Sequence, residues 1–535
     1  MSMIDFDCYS IPYHQTGFFS NLVNDYLSHS PKLTEFYAHQ PSIEGIKASI
    51  KNRQSFQTPR ELLVECLQEQ YKGIEQSEKV QLNIKLLNDV DTFSITTAHQ
   101  PNIFTGPLYF IYKILHAVKL ADQLSKELPA FKFVPVYYMG SEDADLDELG
   151  QINLAGQHLV WDTKQTGAVG RMKVDKQYLQ LIDSMEGQLG VLAYGPSLIQ
   201  LFKNTYTIGK TIQQATLELV NHLFADFGVI VLIPDSAKLK SAYHAVVKKE
   251  LLEKFSHQLV IETINALKDN YKVQTAGRDI NLFYLVEQNR VRIELENDNY
   301  QVKELGLSFT KEEIVKELEL YPERFSANVI LRGGFQETIL PNIAFIGGGG
   351  ELAYWMELNK VFDAVGIPYP VLVLRNSFLL MKEAQYQKFV QLGIGLNEIF
   401  QNSFDLLNQL VKRESDASWD ISEEIKAVSS LYQQMQEKAA SVDTTLNDHI
   451  ISLEIKAGKK LAELEKKMLR AERNKFDASK RQIAAIKSDL FPNNSLQERL
   501  YNFSNFYSVM GKSFLDLIYK ASPALEMQFT IVVIK

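Results

Sequence analysis

Residues 92–139 read TFSITTAHQPNIFTGPLYFIYKILHAVKLADQLSKELPAFKFVPVYYM. The segment begins with a β-rich run at Thr92–Thr97 and continues through a polar loop at Ala98–Pro107. Apolar residues then follow helical spacing over Leu108–Leu128, and a second apolar run of strand length follows at Phe131–Met139. One helix between two buried strands is a βαβ unit, in which the strands run parallel. The segment therefore predicts a parallel sheet.

Strand and helix patterns continue to alternate as far as about residue 375. This alternation predicts an α/β fold with a doubly wound core, and ligands bind to such sheets at the carboxyl ends of the strands. Helices at Asn21–Tyr37 and Arg60–Lys72 are expected before the core. The further predicted strands are Gly228–Pro234, Asn328–Leu331, Ala344–Ile346 and Pro370–Leu374, with β structure also over Asn153–Asp162, Gly167–Val174 and Leu282–Glu294 and helices over Ile208–Phe224, Ala242–Leu267 and Leu352–Val365.

The pattern changes after Arg375, where apolar residues recur every three or four positions in two long runs. Val442–Thr445 separates the runs and offers a helix cap, with Gly458 as an alternative break. One unbroken helix would be roughly 100 Å long at about 1.5 Å per residue, so two antiparallel helices folded as a hairpin are predicted. Pro492–Asn494 ends this arm, and the β-like tail Met527–Ile534 is expected to return to the core sheet.

These patterns divide the chain into domains. A chain of 535 residues is too long for one compact core. Residues 1–376 are predicted to form the core with its N-terminal helices and with connecting insertions at about 151–205 and about 240–325. Residues 377–495 are predicted to form the helical coiled-coil arm, and residues 496–535 a segment that returns to the core.

The composition excludes several classes of protein. A net charge of −9 argues against bulk electrostatic binding to nucleic acid or to an anionic membrane, because both need a basic face. Two cysteines, Cys8 and Cys66, are too few for a disulfide framework or a thiolate zinc site. No apolar run approaches the about 20 residues of a membrane-spanning helix, and Met1–Tyr9 lacks the pattern of a secretory signal. A cytoplasmic protein without nucleic-acid or membrane partners is therefore expected.

The loop after the first strand of the βαβ unit carries polar side chains at His99, Gln100, Asn102 and Thr105, followed by Gly106. It lies before a helix N-terminus, where backbone N–H groups and the helix dipole favour an anionic group. The loop matches neither the dinucleotide-binding fingerprint nor a Walker A loop, since it has one glycine. A ligand-binding loop is predicted, and the alternative is a capped helix start with a turn.

Carboxylates crowd the loop after the next strand, which contains Ser141, Glu142, Asp143 and Asp145. Several carboxylates in one short loop repel one another, so they need a cation, protons or a bound amine. These side chains are suited to hold Mg²⁺, to act as a general base, or to receive the ammonium group of a substrate. The alternative interpretation is an acidic helix N-terminus, which is common.

A third polar group comprises Arg332, Gln336, the four glycines Gly347–Gly350, and Glu351. Successive glycines between a strand and a helix let the backbone approach a ligand closely. A nearby arginine is suited to bind a carboxylate or a phosphate through two hydrogen bonds. The alternative is that the glycines form only a flexible connection. The histidines show no paired metal-ligand spacing, so no metal site is predicted.

Taken in this order, the three groups resemble the bacillithiol biosynthesis cysteine-adding enzyme family. Residues 97–109, with Lys113, are similar to the family's Thr-Gly-(His/Gln)-Gln-x-x-Leu-Phe-Thr-Gly-Pro-Leu-Tyr segment, and Ser141–Asp145 is similar to its Ser-Glu-Asp-x-Asp loop. Ala98 and Gly349 depart from the family, since they stand where it has glycine and proline. The further matching positions include Arg332, Gln336, Gly347, Gly348, Gly350, Glu351, Tyr354, Arg375, Arg499 and Asn502.

The resemblance implies a Rossmann-like core, similar to class I synthetases and nucleotidyltransferases, with inserted segments and an antiparallel coiled-coil arm that pairs two chains into a homodimer. It implies a carbon–nitrogen ligase that adds L-cysteine to the glucosamine amine of glucosaminyl-malate, forming bacillithiol. The cofactor stays unknown: synthetase-like ancestry suggests ATP with Mg²⁺, but a clear Lys-Met-Ser-Lys-Ser signature is missing. Two alternatives stay open, a nucleotidyltransferase-like ligase acting on a different amine and a non-catalytic coiled-coil scaffold.

The resemblance also implies roles for individual residues. One carboxylate of Glu142–Asp145 is expected to take the glucosamine ammonium and remove its proton, because only the neutral amine attacks. Arg332 or Arg375 is expected to bind a carboxylate of malate or cysteine through two parallel hydrogen bonds. The predicted catalytic residues are His99, Glu142, Asp143 and Asp145, and the predicted substrate-binding residues are Gln100, Asn102, Thr105, Gly106, Lys113, Ser141, Arg332, Gln336, Gly347, Gly348, Gly350, Glu351, Tyr354, Arg375, Arg499 and Asn502.

Overall fold

In the computed structural model the chain folds into two compact units. The first unit contains Met1–Leu380 and Ser495–Lys535, and the second contains Met381–Asn494. The first unit is a mixture of strands and helices, and the second is mainly helical. The residues that the structure describes are 4–154, 156–273, 277–415 and 420–535.

The strands are numbered here in chain order. They are β1 (Phe6–Ile11), β2 (Thr92–His99), β3 (Lys132–Met139), β4 (Gln151–Leu154), β5 (Gln157–Val160), β6 (Ile230–Leu232), β7 (Leu282–Val286), β8 (Asn289–Arg292), β9 (Glu294–Glu296), β10 (Asn299–Val302), β11 (Leu307–Phe309), β12 (Phe325–Ala327), β13 (Asn342–Gly347), β14 (Val371–Leu374), β15 (Phe378–Lys382) and β16 (Phe529–Ile534).

The helices connect and cover these strands. The α-helices are Tyr13–Thr16, Asn21–Leu27, Ile43–Gln54, Arg60–Gln70, Glu78–Leu86, Tyr109–Glu127, Leu146–Leu149, Lys176–Leu189, Gly195–Thr205, Ile212–Phe224, Ala237–Ser241, His244–Glu253, Phe255–Leu267, Lys311–Leu320, Val329–Ile339, Gly349–Met356, Asn359–Val365, Glu383–Gln391, Ser403–Glu414, Ser422–Ala440, Leu446–Arg473, Asp477–Leu490, Gln497–Leu500, Ser504–Met510 and Lys512–Ala521. The short 3₁₀ helices are Pro31–Leu33, Ile103–Thr105, Val169–Arg171, Ala225–Phe227, Lys303–Leu305, Pro322–Arg324, Glu398–Phe400, Asn474–Phe476 and Pro492–Asn494.

A five-stranded sheet forms the centre of the first unit, with the strand order β14-β13-β2-β3-β6. Every neighbouring pair in it is parallel, and the β2–β3 register runs from Thr92 opposite Lys132 to His99 opposite Met139. The chain starts at the central strand β2, moves outward through β3 to β6, and then returns to the other side through β13 and β14. This reversal is the doubly wound, Rossmann-like order, so the predicted fold class is confirmed.

The central strand β2 shows why this sequence enters a parallel sheet. All eight of its residues are buried, as expected for a strand covered on both faces. Its apolar side chains Phe93 and Ile95 pack with Ile46 of one helix and Leu120 of another. The buried polar side chains are satisfied inside the sheet, since the Thr97 hydroxyl donates to the Ile346 carbonyl at 2.9 Å. Burying each large apolar side chain contributes about 1.5–3 kcal/mol.

The C-terminal tail forms a strand, but in a different sheet from the one expected. Strand β16 pairs antiparallel with β1, with Phe6 opposite Ile534, and it also neighbours β15. The prediction that the tail is a strand is confirmed, and the prediction that it joins the core sheet is wrong. The first and last segments of the chain close a second, three-stranded sheet instead.

Several other predicted elements are wrong. Residues 328–331 are not a strand: Asn328 caps the helix Val329–Ile339 by accepting from the Ile330 backbone N–H at 2.9 Å. Within the predicted β segment 167–174 the structure has a 3₁₀ helix, Val169–Arg171. The single helix expected over 242–267 is broken at Lys254, which has φ +51°. An apolar run alone does not distinguish a strand from one helix face, which explains the first of these errors.

The second unit contains the predicted helical hairpin. Ser422–Ala440 and Leu446–Arg473 pack against each other, and the chain turns between them over residues 441–445. The predicted break at Val442–Thr445 is therefore confirmed over Gly458, which lies inside the second helix. In the described part of the chain, no helix is both long and apolar enough to cross a membrane.

Candidate functional site

A cavity of about 1050 Å³ opens at the carboxyl ends of the parallel strands, where the loops after β2, β3, β13 and β14 meet. The order of the strands reverses between β2 and β13, and in doubly wound sheets ligands bind beside this point at the carboxyl ends of the strands. All three predicted polar groups contribute to its wall. The predicted site residues that line the cavity are His99, Gln100, Asn102, Gly106, Ser141, Glu142, Asp143, Arg332, Gly348, Gly350, Glu351, Tyr354, Arg375 and Arg499.

Three predicted site residues do not line the cavity but make contacts next to its wall. Lys113 is buried and bridges two loops, and Asn502 is buried beneath the loop after β2. Asp145 is the N-cap of the helix Leu146–Leu149 and accepts from the Glu148 backbone N–H at 3.1 Å. These three side chains position the wall of the cavity and do not line it.

The other three predicted residues outside the lining have different surroundings. Gln336 is fully buried and donates to Glu337 at 2.9 Å, away from the cavity. Gly347 is the last residue of β13, and its carbonyl accepts from the Arg375 backbone N–H at 2.8 Å. Thr105 is buried in the loop after β2 with φ +69°. Residues 347–350 were all predicted to approach a ligand. In the structure the last three of them line the cavity, and Gly347 does not.

The loop after β2 has an unusual backbone. Phe104, Thr105 and Gly106 have φ values of +48°, +69° and +68° in succession. Such conformations cost non-glycine residues free energy and occur mainly where the surrounding structure enforces them, often at functional sites. A Cβ atom on Gly106 would lie 2.7 Å from the Cβ atom of Asn102, so only glycine fits there. Packing of Phe104 among Tyr178, Phe202 and Tyr206 holds the loop from below.

His99 ends strand β2 at the cavity wall. Its ring packs against Tyr109 and Phe110, with ring centroids 5.5 and 5.3 Å away. Burial lowers the pKa of His99 well below its ordinary value, and the cations Lys113 and Arg375 lower it further. The imidazole is therefore neutral near pH 7 and offers hydrogen bonds without charge. Among the described residues, its Nε2 atom has no hydrogen-bond partner.

Two other polar atoms of the cavity-lining residues are also unpaired within the part of the chain that the structure describes. They are the Oδ1 atom of Asn102 and the Oγ atom of Ser141, and both are buried. Buried polar groups without partners are uncommon in native proteins and usually bind a ligand or water. Together with His99 they leave hydrogen-bonding capacity unused at the wall of the cavity.

Lys113 and Glu351 connect strand β2 to the helix that follows the neighbouring strand β13. The Lys113 ammonium donates to the Ala98 carbonyl at 2.5 Å and to the Glu351 carboxylate at 2.6 Å. The same Glu351 oxygen accepts from the Gly348 backbone N–H at 2.8 Å, which caps the helix Gly349–Met356. Burial lowers the pKa of Lys113, while the charge of Glu351 opposes that shift. The pair fixes the spacing between the loops after β2 and β13.

The acidic loop after β3 does not act as one unit. Glu142 contacts the buried ammonium of Lys240 and accepts from the Ser326 hydroxyl at 2.7 Å. Lys240 also lies 3.8 Å from Asp235, which forms a two-pronged ion pair with Arg171 at 2.6 Å. Glu142 is thus already neutralised by protein cations. Of the three carboxylates predicted in this loop, Asp143 is the one that lines the cavity without a paired cation among the described residues.

Asp143 and Glu148 are the acidic groups of this wall that face the cavity without a paired cation in the described structure. Asp143 accepts from the Gln100 side chain at 3.2 Å, which links the loops after β2 and β3. Burial raises the pKa of Glu148, and the charges of Asp145 and Asp143 raise it further. A carboxylate with a raised pKa is suited to accept a proton near neutral pH.

The two predicted arginines have different partners. Arg375 donates to Glu498 at 2.7 Å and to Ser377 at 3.1 Å, so its outer donors are used within the protein. Arg332 donates to the Tyr354 hydroxyl at 2.5 Å and forms no ion pair with a carboxylate of the described residues. Of the two, Arg332 is the one with donors to offer to an anionic ligand.

Sequence reasoning missed several residues of the cavity. Arg278 and Arg290 add two cations, Tyr109 and Phe283 add aromatic walls, and Glu148 adds a carboxylate. Arg290 lies in the β segment that was predicted over residues 282–294, but nothing in that pattern relates it to the edge of the parallel sheet. Glu148 had a visible signal, because it follows the acidic loop by three residues.

A metal site would be an alternative use for the acidic side chains of this cavity. Among the residues that the structure describes, no group of three or more His, Cys, Asp or Glu side chains is placed to hold a metal ion. The acidic side chains of the wall are separated by their different partners, since Glu142 contacts Lys240 and Asp145 caps a helix. The carboxylates that stay open to the cavity are suited to a bound amine.

Comparison with known families covers almost the whole chain. Residues 6–376 match the family model for the N-terminal Rossmann-like domain of bacillithiol biosynthesis BshC, and residues 378–534 match the model for its C-terminal coiled-coil domain. The chain belongs to the bacillithiol biosynthesis BshC family. The resemblance inferred from the sequence motifs is therefore confirmed.

Individual BshC relatives agree over their full length. A protein of Flavobacterium johnsoniae named "Putative cysteine ligase BshC" is 39% identical over 530 residues, which is 99% of each chain. Relatives with the same name from Flavobacterium psychrophilum and Christiangramia forsetii are 38% and 37% identical, and cover 98% and 97% of this chain and 99% and 98% of their own. These names confirm the prediction that this BshC chain is a ligase.

Proposed function

We propose that the chain is a carbon–nitrogen ligase that joins L-cysteine to the glucosamine amine of glucosaminyl-malate, giving bacillithiol. One observation carries this proposal: the wall of the cavity at the sheet edge contains both carboxylates and arginines that form no ion pair within the described residues. The carboxylates are Asp143 and Glu148, and the arginines are Arg332 and Arg290. The BshC relatives, whose name contains cysteine ligase, supply the reaction class.

The charges of the cavity match those of the two substrates. Glucosaminyl-malate carries one ammonium group and two carboxylates, and cysteine carries an ammonium group and one carboxylate. An ammonium group is stabilised by nearby carboxylates, and a carboxylate by a guanidinium that donates two parallel hydrogen bonds. A non-catalytic scaffold has no need for such opposed, unpaired charges in one cavity, because burying unpaired charge costs stability.

Amide formation needs a neutral amine. Glu148 and Asp143 lie where a glucosamine ammonium would bind, and the raised pKa of Glu148 suits it to take the proton. The nitrogen then attacks the cysteine carboxyl carbon, a C–N bond forms, and one carboxyl oxygen leaves. We propose ATP as the co-substrate that activates this carboxyl group, so that the oxygen leaves bonded to phosphorus.

The loop after β2 supplies neutral hydrogen-bonding groups for these steps. The His99 imidazole is held uncharged, and Asn102 offers a buried carbonyl oxygen. Gly348 and Gly350 line the opposite loop, where the absence of side chains lets the backbone approach a ligand. Gln100 donates to Asp143 and thereby orients the proposed ammonium site.

The test is mass spectrometry of the purified full-length protein mixed with glucosaminyl-malate and L-cysteine, with and without ATP and Mg²⁺. A product with the mass of the amide, formed from these two substrates, supports the proposal. Its dependence on ATP decides the activation route. Folded protein that forms no amide under any of these conditions would overturn the proposal.

Variants of the site sharpen this experiment. Asp143→Ala and His99→Ala are expected to lower the rate of amide formation by about 100-fold or more, in the range found for positioned acid–base groups. Asp147→Ala is the matched control, because Asp147 is exposed in the same acidic segment and does not line the cavity. Full activity in both site variants would place the reaction elsewhere.

The homodimer expected from the family resemblance is likewise a proposal. Both helices of the arm hairpin expose apolar side chains, among them Leu431 at 54% and Ile455 at 53%. Burial of such side chains between two arms would stabilise a dimer. Light scattering of the full chain measures its mass, and a monomer at micromolar concentration would contradict the dimer.

A further inference from the structure

Arg332 is a cation of the cavity wall. It lies in the first turns of the helix Val329–Ile339, whose N-cap is Asn328. Its guanidinium donates to the Tyr354 hydroxyl at 2.5 Å, and no carboxylate in the described part of the chain forms an ion pair with it. A guanidinium has five N–H donors, so most of those on Arg332 are free for a ligand.

Arg290 is a second cation in the same situation. It lies on β8 and stacks over the Phe283 ring, with its guanidinium carbon 3.9 Å from the ring centroid. Its Nε atom donates to the Ser326 hydroxyl at 2.8 Å, and its Nη2 atom donates to the Ala327 carbonyl at 3.0 Å. These contacts hold the group rigidly in place, but none of them neutralises its charge.

The two arginines are neighbours. Arg290 is anchored on Ser326 and Ala327, and Asn328 directly follows to begin the helix that carries Arg332. Both line the cavity.

Burial lowers the pKa of Arg290, and the charges of Glu142 and Asp143 oppose that shift. The charge of Arg332 lowers the pKa of Arg290 further, which shows that the two guanidinium groups are close. Nearby carboxylates offset part of these two charges, but in the described structure neither guanidinium forms an ion pair. Both therefore keep N–H donors for a ligand anion.

Ser326 also contacts the acidic loop after β3. The Ser326 hydroxyl donates to Glu142 at 2.7 Å while it accepts from Arg290. Asp143 is the residue next to Glu142, so the proposed ammonium site lies beside the two arginines. A ligand that fits both sides needs carboxylates at one end and an amine at the other.

We propose that Arg290 and Arg332 form a dicarboxylate subsite that binds the malate end of the amine acceptor. This assignment rests on the proposed function, since it names the part of the acceptor that this wall recognises. Each arginine takes one carboxylate, and the amine end of the same molecule then reaches Asp143 and Glu148. The subsite gives specificity for an acceptor with two carboxylates over one with none.

The test is isothermal titration calorimetry of L-malate alone into the full-length protein. Pyrophosphate is titrated separately as the alternative kind of anion. Arg290→Gln and Arg332→Gln are expected to weaken malate binding by about tenfold or more, because each removes charge-assisted hydrogen bonds. Arg292→Gln is the matched control: Arg292 lies two residues further along β8, is exposed and does not line the cavity. Its malate affinity is expected to equal that of the unmodified protein.

Arg290→Lys is a second variant that keeps the charge but loses the planar fork, and we expect an intermediate loss of affinity. Circular dichroism of each variant checks that it is folded. If the arginine variants lose pyrophosphate binding and keep malate binding, the subsite recognises phosphate and the proposal is overturned. It is also overturned if neither anion binds to the unmodified protein.

Steady-state kinetics of amide formation distinguish a failure of the subsite assignment from a failure of the proposed function. If the protein forms the amide and Arg290→Gln leaves the KM for glucosaminyl-malate unchanged, the subsite assignment is wrong while the ligase assignment stands. If malate binds through the two arginines but no amide forms, the dicarboxylate subsite stands and the ligase assignment fails.

Discussion

The side chain of Asn502 holds Gly106 by a hydrogen bond of 2.7 Å from its amide nitrogen to the Gly106 carbonyl oxygen. The same amide group donates to the Phe104 carbonyl at 2.9 Å. Asn502 comes almost 400 residues later in the chain and is fully buried. It therefore fixes the left-handed backbone of the loop after β2 from behind. The predicted substrate-binding position is a positioning residue for the loop that lines the cavity.

Asn502→Ala is expected to lower both stability and activity. The change leaves two buried carbonyl groups without donors, which costs about 2–4 kcal/mol of unfolding free energy. The loop is also released, so the KM of amide formation should rise. Urea denaturation measures the first effect, and Asn204→Ala, at an exposed position in the helix Gly195–Thr205, is the control. Unchanged urea midpoint and kinetics in Asn502→Ala would show that the loop holds its conformation alone.

Gly106 and Gly350 both line the cavity but should respond differently to alanine. Gly106 has φ +68°, and a Cβ atom there meets Asn102, so Gly106→Ala is expected to lose about 1–3 kcal/mol of stability. At Gly350, inside a helix, a Cβ atom meets nothing within 4 Å. Gly350→Ala should therefore gain about 0.5–1 kcal/mol and lose substrate affinity if a ligand passes there. Thermal unfolding and KM values measure both effects, and equal stability losses in the two variants would contradict this reasoning.

The parallel sheet could be predicted because its strands are marked by local patterns. β2, β3 and β14 are continuous apolar or β-branched runs of strand length, and the helix between the first two has clear amphipathic spacing. Residues 328–331 were wrongly predicted as a strand, because their apolar residues belong to the start of a helix that is capped by an asparagine. The partner of the C-terminal strand was not predictable, because β1 and β16 lie at opposite ends of the chain.

The candidate site was predictable where a residue follows a strand of the sheet. His99, Asp143 and Gly348 fall in this class, and the strand ends bring them to one edge. The sequence did not show which carboxylates are already paired, because the partner of Glu142 is Lys240, almost 100 residues away. Contacts of this range depend on the packing of inserted segments, which local patterns do not encode.

The buried pair of Lys113 and Glu351 should be important for stability. Lys113→Met removes the cation and leaves the Glu351 carboxylate and the Ala98 carbonyl without it, which is expected to cost about 3–5 kcal/mol. Lys132→Met is the control, because Lys132 pairs with Asp89 at the surface, where 52% and 39% of the two side chains are exposed. The free energy of unfolding of that variant should be close to that of the unmodified protein.

A double-variant cycle tests whether the two groups act together. Lys113→Met combined with Glu351→Gln removes both charges, so it should cost less than the sum of the single changes. Guanidinium denaturation gives the three free energies of unfolding. Additive losses would mean that Lys113 stabilises the chain mainly through the Ala98 carbonyl and that the pair does not join the two loops energetically.

The pH dependence of turnover should identify Glu148 as the base. Its pKa is raised by burial and then by the charges of Asp145 and Asp143. A base works in its ionised form, so kcat/KM for the amine substrate rises with pH as Glu148 loses its proton. Asp145→Asn removes a negative neighbour, which favours the ionised form, lowers the pKa of Glu148 and moves the acid limb to lower pH. Asparagine still caps the helix in place of aspartate, so the loop should keep its shape.

The measurement is a kcat/KM profile between about pH 4 and pH 8, a range that spans the ordinary titration of carboxylates and histidine. Asp147→Asn is the control, because Asp147 is exposed and does not contribute to the raised pKa of Glu148. Glu148→Gln should lose most of the activity and the acid limb with it. If that variant kept the limb, or if Asp145→Asn left it in place, another group would be the base, and Asp143 would be the first to examine because it faces the same cavity.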